Sequence, residues 1–179
     1  MQIFKNLKLT LSGSLSFIKK KSSLLLFLLF FSTPSFALTY EEHKFVNDIR
    51  YCLKQIYLHT PDKYIKVNFD IIIAMAVLES DFGRSRFAVE GNNFFGIRTY
   101  DLTNKHIKPK GYENPDFGIL TFKYFCSSVR YTLDAFTNHP AYDDFRQYGN
   151  VEDIWPWAED PQYVGKIRER IQTIKENNH

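Results

Sequence analysis

Eight consecutive uncharged residues, Ile71 to Leu78, run directly into a glutamate, Glu79, and this run constrains the fold more than any other part of the chain. A helix made from it is apolar on every face and has to be buried on all sides. Asp70 is expected to cap that helix and Gly83 to close it, which puts Glu79 in the last turn. There the helix dipole is negative, an ionised carboxylate is disfavoured, and the pKa of Glu79 is expected to rise. A carboxyl so tuned keeps its proton near neutral pH and can deliver it to a leaving oxygen. The alternative is a glutamate turned outward to pair with Arg84 or Arg86.

The next part of the chain favours the first reading. Arg86 to Glu90 reads as a short helical turn closed by Gly91, and Asn92-Asn93-Phe94-Phe95-Gly96 then gathers two amides, two aromatic rings and a glycine into five residues. Amides and aromatic faces suit a sugar site. The whole run A-x-A-V-L-E-S-D-F-G-R-S-R-F-A-x-E-G-N-N-F-F-G-I, from Ala74 to Ile97, resembles the signature of the glucosaminidase family of peptidoglycan hydrolases (glycoside hydrolase family seventy-three). Phe122 to Tyr142, ending in Asn138-His139-Pro140-Ala141-Tyr142, resembles the Bax-like branch of that family. Together the two matches cover most of the chain beyond Phe69. The resemblance implies that Glu79 protonates the glycosidic oxygen, and Asn93, Phe94 and Phe95 are expected from their chemistry to help bind the sugar.

The N-terminus has a different character. Lys5, Lys8, Lys19, Lys20 and Lys21 precede the uncharged stretch Ser22 to Phe31, and Ser35-Phe36-Ala37 offers the small residues a signal peptidase reads. Residues 1–37 are therefore expected to be a cleaved leader, with export to the periplasm or beyond. An uncleaved anchor is the alternative. The leader takes five of the 23 Lys and Arg and none of the 20 Asp and Glu, so residues 38–179 carry 18 minus 20, a formal −2. A nucleic-acid partner, which needs a basic stripe, thereby loses its support and is not expected. Contact with a membrane is expected only through the leader. Cys52 and Cys126 then meet an oxidising compartment, either as a disulfide or as two buried thiols.

Thr39-x-x-Glu42 is a capping box for a first helix with Phe45, Val46, Ile49, Leu53 and Ile56 at helical spacing. Between Arg98 and Phe122 the helical period is lost to Asn104, Pro109, Gly111, Asn114, Pro115 and Gly118. A small, irregular β flap is expected there, with an extended piece at Thr121-Phe122 and Tyr124-Phe125. Glycosidases commonly pair the acid with a second carboxylate. The resemblance implies one on this flap, near Gly118, where this chain has none. Glu113 and Asp116 are the nearby substitutes, and the substrate's own N-acetyl group is the alternative.

The remainder reads as helical. Ser127 or Ser128 is expected to cap a helix bearing Val129, Leu133 and Phe136, and Pro140 to open another that Gly149 closes. His139 reads as a structural hydrogen-bonding residue, since no His or Cys lies at ligand spacing from it, and nothing calls for a metal or cofactor. Asp160 and Pro161 are expected to start the last helix, with Val164, Ile167, Ile171 and Ile174 on one face. Trp157-Ala158-Glu159-Asp160-Pro161-Gln162-Tyr163 resembles the family's Tyr-Ala-Thr-Asp-Pro-x-Tyr segment, which implies that Trp157 lines the cleft. Tyr163 is either a substrate contact or a packed aromatic.

The fold implied is α+β, mainly α, of the lysozyme-like kind with a small β flap over residues 38–179. The activity implied is cleavage of the β-1,4 bond after N-acetylglucosamine in peptidoglycan glycan strands. A lytic transglycosylase and a non-catalytic wall-binding protein are the two alternatives.

Overall fold

The computed structural model describes residues 37–111 and 113–177, so the expected leader lies outside the described residues except for Ala37. Among the described residues are six α-helices and one three-stranded sheet. The uncharged run forms α2 (Phe69–Ser80), and Ile71 to Val77 are all buried, as its composition requires. Its cap differs from expectation. Asn68 accepts the backbone N–H of Asp70 at 2.9 Å, and Asp70 itself sits in the first turn, where its charge meets the positive end of the dipole.

Two long helices enclose α2. The first, α1 (Tyr40–His59), opens on the expected capping box, with Thr39 Oγ1 accepting the Glu42 N–H and the Glu42 carboxylate accepting the Thr39 N–H. Phe45, Val46, Ile49, Leu53 and Ile56 on α1 enter the same core as α2. The last helix, α6 (Tyr163–Glu176), makes the most extensive contact with α2 through a face that buries Ile167 and Ile174. It starts later than expected. Asp160 accepts the Gln162 N–H at 2.9 Å, so Asp160-Pro161-Gln162 form a turn ahead of the helix and not its first residues. No described helix is long and apolar enough to cross a membrane.

α2 also ends earlier than Gly83. The Ser80 hydroxyl donates to the Ala76 carbonyl at 2.6 Å and accepts the Gly83 N–H at 2.8 Å. Asp81, Phe82 and Gly83 take φ of 51°, 53° and 77° in turn. Left-handed backbone at a bulky residue such as Phe82 costs of order 1–3 kcal/mol and persists only where its surroundings over-determine it. Here they do. A Cβ on Gly83 would lie 2.7 Å from the Phe45 ring, so the turn is pressed flat against α1. The next helix, α3 (Arg86–Gly91), is capped by Ser85.

The flap is a sheet of three short antiparallel strands, β1 (Arg98–Thr99), β2 (His106–Ile107) and β3 (Gly118–Leu120), in the order β1-β3-β2. Arg98 pairs with Ile119, and His106 with Leu120. The central strand thus precedes Thr121 to Phe125, the stretch expected to be extended, because the backbone turns there toward the next helix. Gly118 has a steric reason to be glycine. A Cβ there would meet the His106 ring at 2.4 Å, so this position, near which the family resemblance implies a glutamate, cannot carry a side chain in this chain without moving that ring.

The helix α4 (Ser127–Asn138) has Cys126 at its cap and no capping side chain; Ser127 and Ser128 lie inside it, Ser128 fully buried. Cys126 is bonded to Cys52 of α1 as a disulfide, which decides between the two readings of that pair. Pro140 opens a 3-10 turn (Pro140–Tyr142) leading into α5 (Asp143–Tyr148), and Gly149 closes α5 at φ 68°, as expected. The His139 ring accepts the Ala141 N–H at 3.2 Å, the structural role expected of it. A 3-10 segment (Val151–Trp157) then returns the chain to α6.

Candidate active site

The end of α2, the β1 segment, α4 and the 3-10 segment before α6 wall an open cleft of about 730 Å³. Its floor holds Glu79, the penultimate residue of α2, with Gly96 beside it. A Cβ on Gly96 would stand 3.6 Å from Glu79 Oε2, and Gly96 has φ 65°, so glycine lets the backbone run past the carboxyl without covering it.

Burial raises the pKa of Glu79, and it is the dominant cause; the neighbouring Tyr163 hydroxyl tempers the rise. The direction expected from the sequence holds, but its main origin is desolvation. Glu79 also turns inward, with Arg84 paired instead to Asp81 and Glu42, and Arg86 to Glu90. Tyr163 is buried, and its hydroxyl makes no hydrogen bond of ordinary geometry with protein. Its interaction with Glu79 is therefore one of close approach, and burial together with that carboxyl holds the phenol firmly protonated. Tyr163 is not part of the cleft lining, whereas Tyr142 is, and burial pushes the Tyr142 phenol up to about 12.

The other expected site residues divide. Phe95 and Trp157 line the cleft, their rings edge to face at 6.3 Å, and Trp157 is further packed against Phe136 at 5.4 Å. Asn93 does not reach the cleft. Its amide nitrogen donates to the Ile97 and Leu120 carbonyls at 2.9 and 2.8 Å, and its oxygen accepts from Phe95 and Ile97. The side chain is spent on bracing the cleft wall to the flap. Phe94 points elsewhere too, into a second groove, with Phe45 at 5.5 Å and Phe125 at 4.5 Å. Both corrections have one cause: adjacent residues in a tight turn cannot all face one side.

Glu113 and Asp116 are exposed on the flap and are not part of the cleft lining. The cleft's second carboxylate is Glu159, which the sequence reading missed. The available signal was its position, since it stands where the family pattern has a threonine. Arg98 and His139 also line the cleft and went unremarked there as cleft groups.

A family model described as "Glucosaminidase: Mannosyl-glycoprotein endo-beta-N-acetylglucosaminidase" matches residues 57–176. The chain belongs to the glucosaminidase family. Two Streptococcus pneumoniae proteins, from strains TIGR4 and R6, named as inferred endo-beta-N-acetylglucosaminidases, are each 39% identical to it over 59 residues. Those matches span 33% of this chain and only 9% and 8% of the two relatives. Among solved structures, the catalytic domain of the autolysin Auto from Listeria monocytogenes superposes with a TM-score of 0.55 at 16% identity, over 79% of this chain and 88% of that one. A chain of a type VI secretion effector–immunity complex from Pseudomonas protegens gives 0.50 at 15% identity, over 78% and 94%. The glucosaminidase fold is thus the α+β, lysozyme-like one, mainly helical with a small antiparallel flap.

Proposed function

We propose that the protein is an exported peptidoglycan hydrolase that cuts the β-1,4 bond after N-acetylglucosamine, with Glu79 as general acid. One observation carries this reading: a carboxyl with its pKa raised by burial lies in a cleft that aromatic groups also line. Glu79 protonates the glycosidic oxygen as the bond from that oxygen to the anomeric carbon breaks. Trp157 offers an apolar face to a pyranose ring, and the buried Tyr163 phenol stands close to the carboxyl. Two groups can meet the positive charge that develops on the sugar, the substrate's own 2-acetamido oxygen and Glu159. Glu113 and Asp116 take that part only if the flap folds across a bound strand. Water then adds to the anomeric carbon, and its proton returns to Glu79.

Export is supported by the lysine-rich start of the sequence and by the Cys52–Cys126 bridge, a feature of oxidising compartments. Membership of the Bax-like branch rests on the resemblance of Phe122 to Tyr142. The test is mass analysis of wall fragments released by purified protein. Reducing N-acetylglucosamine ends are expected. Anhydro-muramic ends, lighter by one water, would identify a transglycosylase, and wall binding without soluble products would identify a binding protein.

A further inference from the structure

We infer that Arg98 forms an anion subsite at the flap edge of the cleft that takes a carboxylate of the peptide stem on the glycan strand, an inference that rests on the peptidoglycan reading above. Arg98 lies on β1, its backbone fixed by pairing with Ile119 of the central strand, and its side chain lines the same cleft as Glu79. The guanidinium sits 4.9 Å above the Phe117 ring, and Tyr100, also on the cleft lining, packs against that ring at 6.3 Å. A stacked guanidinium is held in orientation while its N–H edge stays open to a planar, bidentate acceptor.

Among the described residues, Arg98 is the one arginine of the cleft lining, and like Arg130 and Arg170 it has no salt bridge. Arg84, Arg86, Arg146 and Arg168 each hold a carboxylate, whereas Arg98 is exposed and makes no ion pair among the described residues. Glu79 and Glu159 share its cleft without pairing to it. A cation kept free in a sugar cleft has no charged partner on the sugars, since the glycan of an intact wall is neutral where each lactyl carboxyl is tied up in the amide to its stem. The free carboxylates of such a strand are on the peptides. A stem whose carboxylate reached Arg98 would fix the register of the strand relative to Glu79, so the subsite would select for stem-bearing muramic units.

Binding separates this from the turnover reading. The full-length protein carrying Glu79→Gln is titrated with three probes: intact strands, strands whose stem carboxylates have been converted to methyl amides, and amidase-stripped strands that expose the lactyl carboxylate. The same titrations are run with Arg98→Gln and Arg98→Lys added, and thermal melting confirms that each variant is folded. The expected result is about tenfold tighter binding to intact than to amidated strands, roughly one charge-assisted contact. That preference is lost in Arg98→Gln and partly kept in Arg98→Lys. Equal binding to intact and amidated strands, or a preference that survives Arg98→Gln, overturns the subsite. Stripped strands bound as tightly as intact ones, with loss in Arg98→Gln, overturn the stem as its ligand in favour of the lactyl group. Product analysis on the parent protein runs alongside, so a protein that binds as expected but releases no N-acetylglucosamine ends removes the hydrolase reading and leaves the subsite standing.

Discussion

The end of α2 and the flap both carry carboxylates, held in opposite ways. Glu79 is mostly buried on a helix packed on every side, and a turn with three consecutive left-handed residues fixes the backbone beyond it. Glu113 and Asp116 sit exposed among short strands, and Glu113 contributes its backbone carbonyl, which accepts from Lys108 at 2.6 Å. The same functional group is a carboxyl with a pKa raised by burial in one place and an exposed charge in the other. Backbone confinement makes that difference, because it fixes both the direction of the carboxyl and the amount of water around it.

The largest effect that comparison predicts is at Glu79. Glu79→Gln keeps the shape and removes the proton, so release of reducing ends from peptidoglycan should fall at or beyond the upper end of the roughly 10²- to 10⁴-fold that general acids contribute. Activity within a few-fold of the parent would erase the contrast between the two regions. Next in size is the second carboxylate. Glu113→Gln with Asp116→Asn should leave the rate within about threefold of the parent, as solvated charges do, while Glu159→Gln should lower it by about 10- to 100-fold if Glu159 meets the developing charge. A large loss in the flap variant would mean that the flap closes over substrate. A normal rate in all of them would point to the acetamido group.

The flap can also be probed by filling it. Gly118→Ala forces the His106 ring aside and should destabilise the protein by about 1–3 kcal/mol in denaturant titration, the usual range for overpacking. No change would show that the ring moves freely and that glycine at 118 has another cause.

The smallest effect is on stability against pH, and its sign is set by Glu79. The folded-state pKa is raised, so the folded protein binds the Glu79 proton more tightly than the unfolded chain does. That contribution is whole below the ordinary carboxylate pKa and is lost as pH rises through the raised value. Glu79→Gln has no such loss. Its melting temperature should exceed that of the parent at neutral pH, and the gap should narrow as pH falls into the carboxylate range; a gap that widens toward acid would reverse the assignment.

Legibility in the sequence divides along the same line. The Ile71 to Leu78 run gave the buried helix, and the Thr39 and Glu42 pair gave the start of α1, because both signals are local and chemically specific. The motif around Glu79 pointed to the carboxyl that the fold sets in the cleft. Asn93 and Phe94 were misread because a motif records which residues are needed without recording which way each one faces. The strand at Gly118 to Leu120 was placed late for a related reason: three residues leave almost no period to detect, and their pairing partners lie far off in the chain. Glu159 was missed because only the folded chain brings the segment before α6 to the end of α2.

The Cys52–Cys126 bridge closes a loop with a sequence separation of 74, and that loop contains α2, α3 and the entire flap. Topologically, Glu79, Gly96 and Arg98 all lie inside one covalent ring, while Trp157, Glu159 and Tyr163 lie on the tail outside it. A protease that nicks the exposed flap once therefore opens the ring without dividing the molecule. The nicked protein should run as a single band on a non-reducing gel and as two fragments once reductant is added, with Glu79 on the N-terminal fragment and Glu159 on the other.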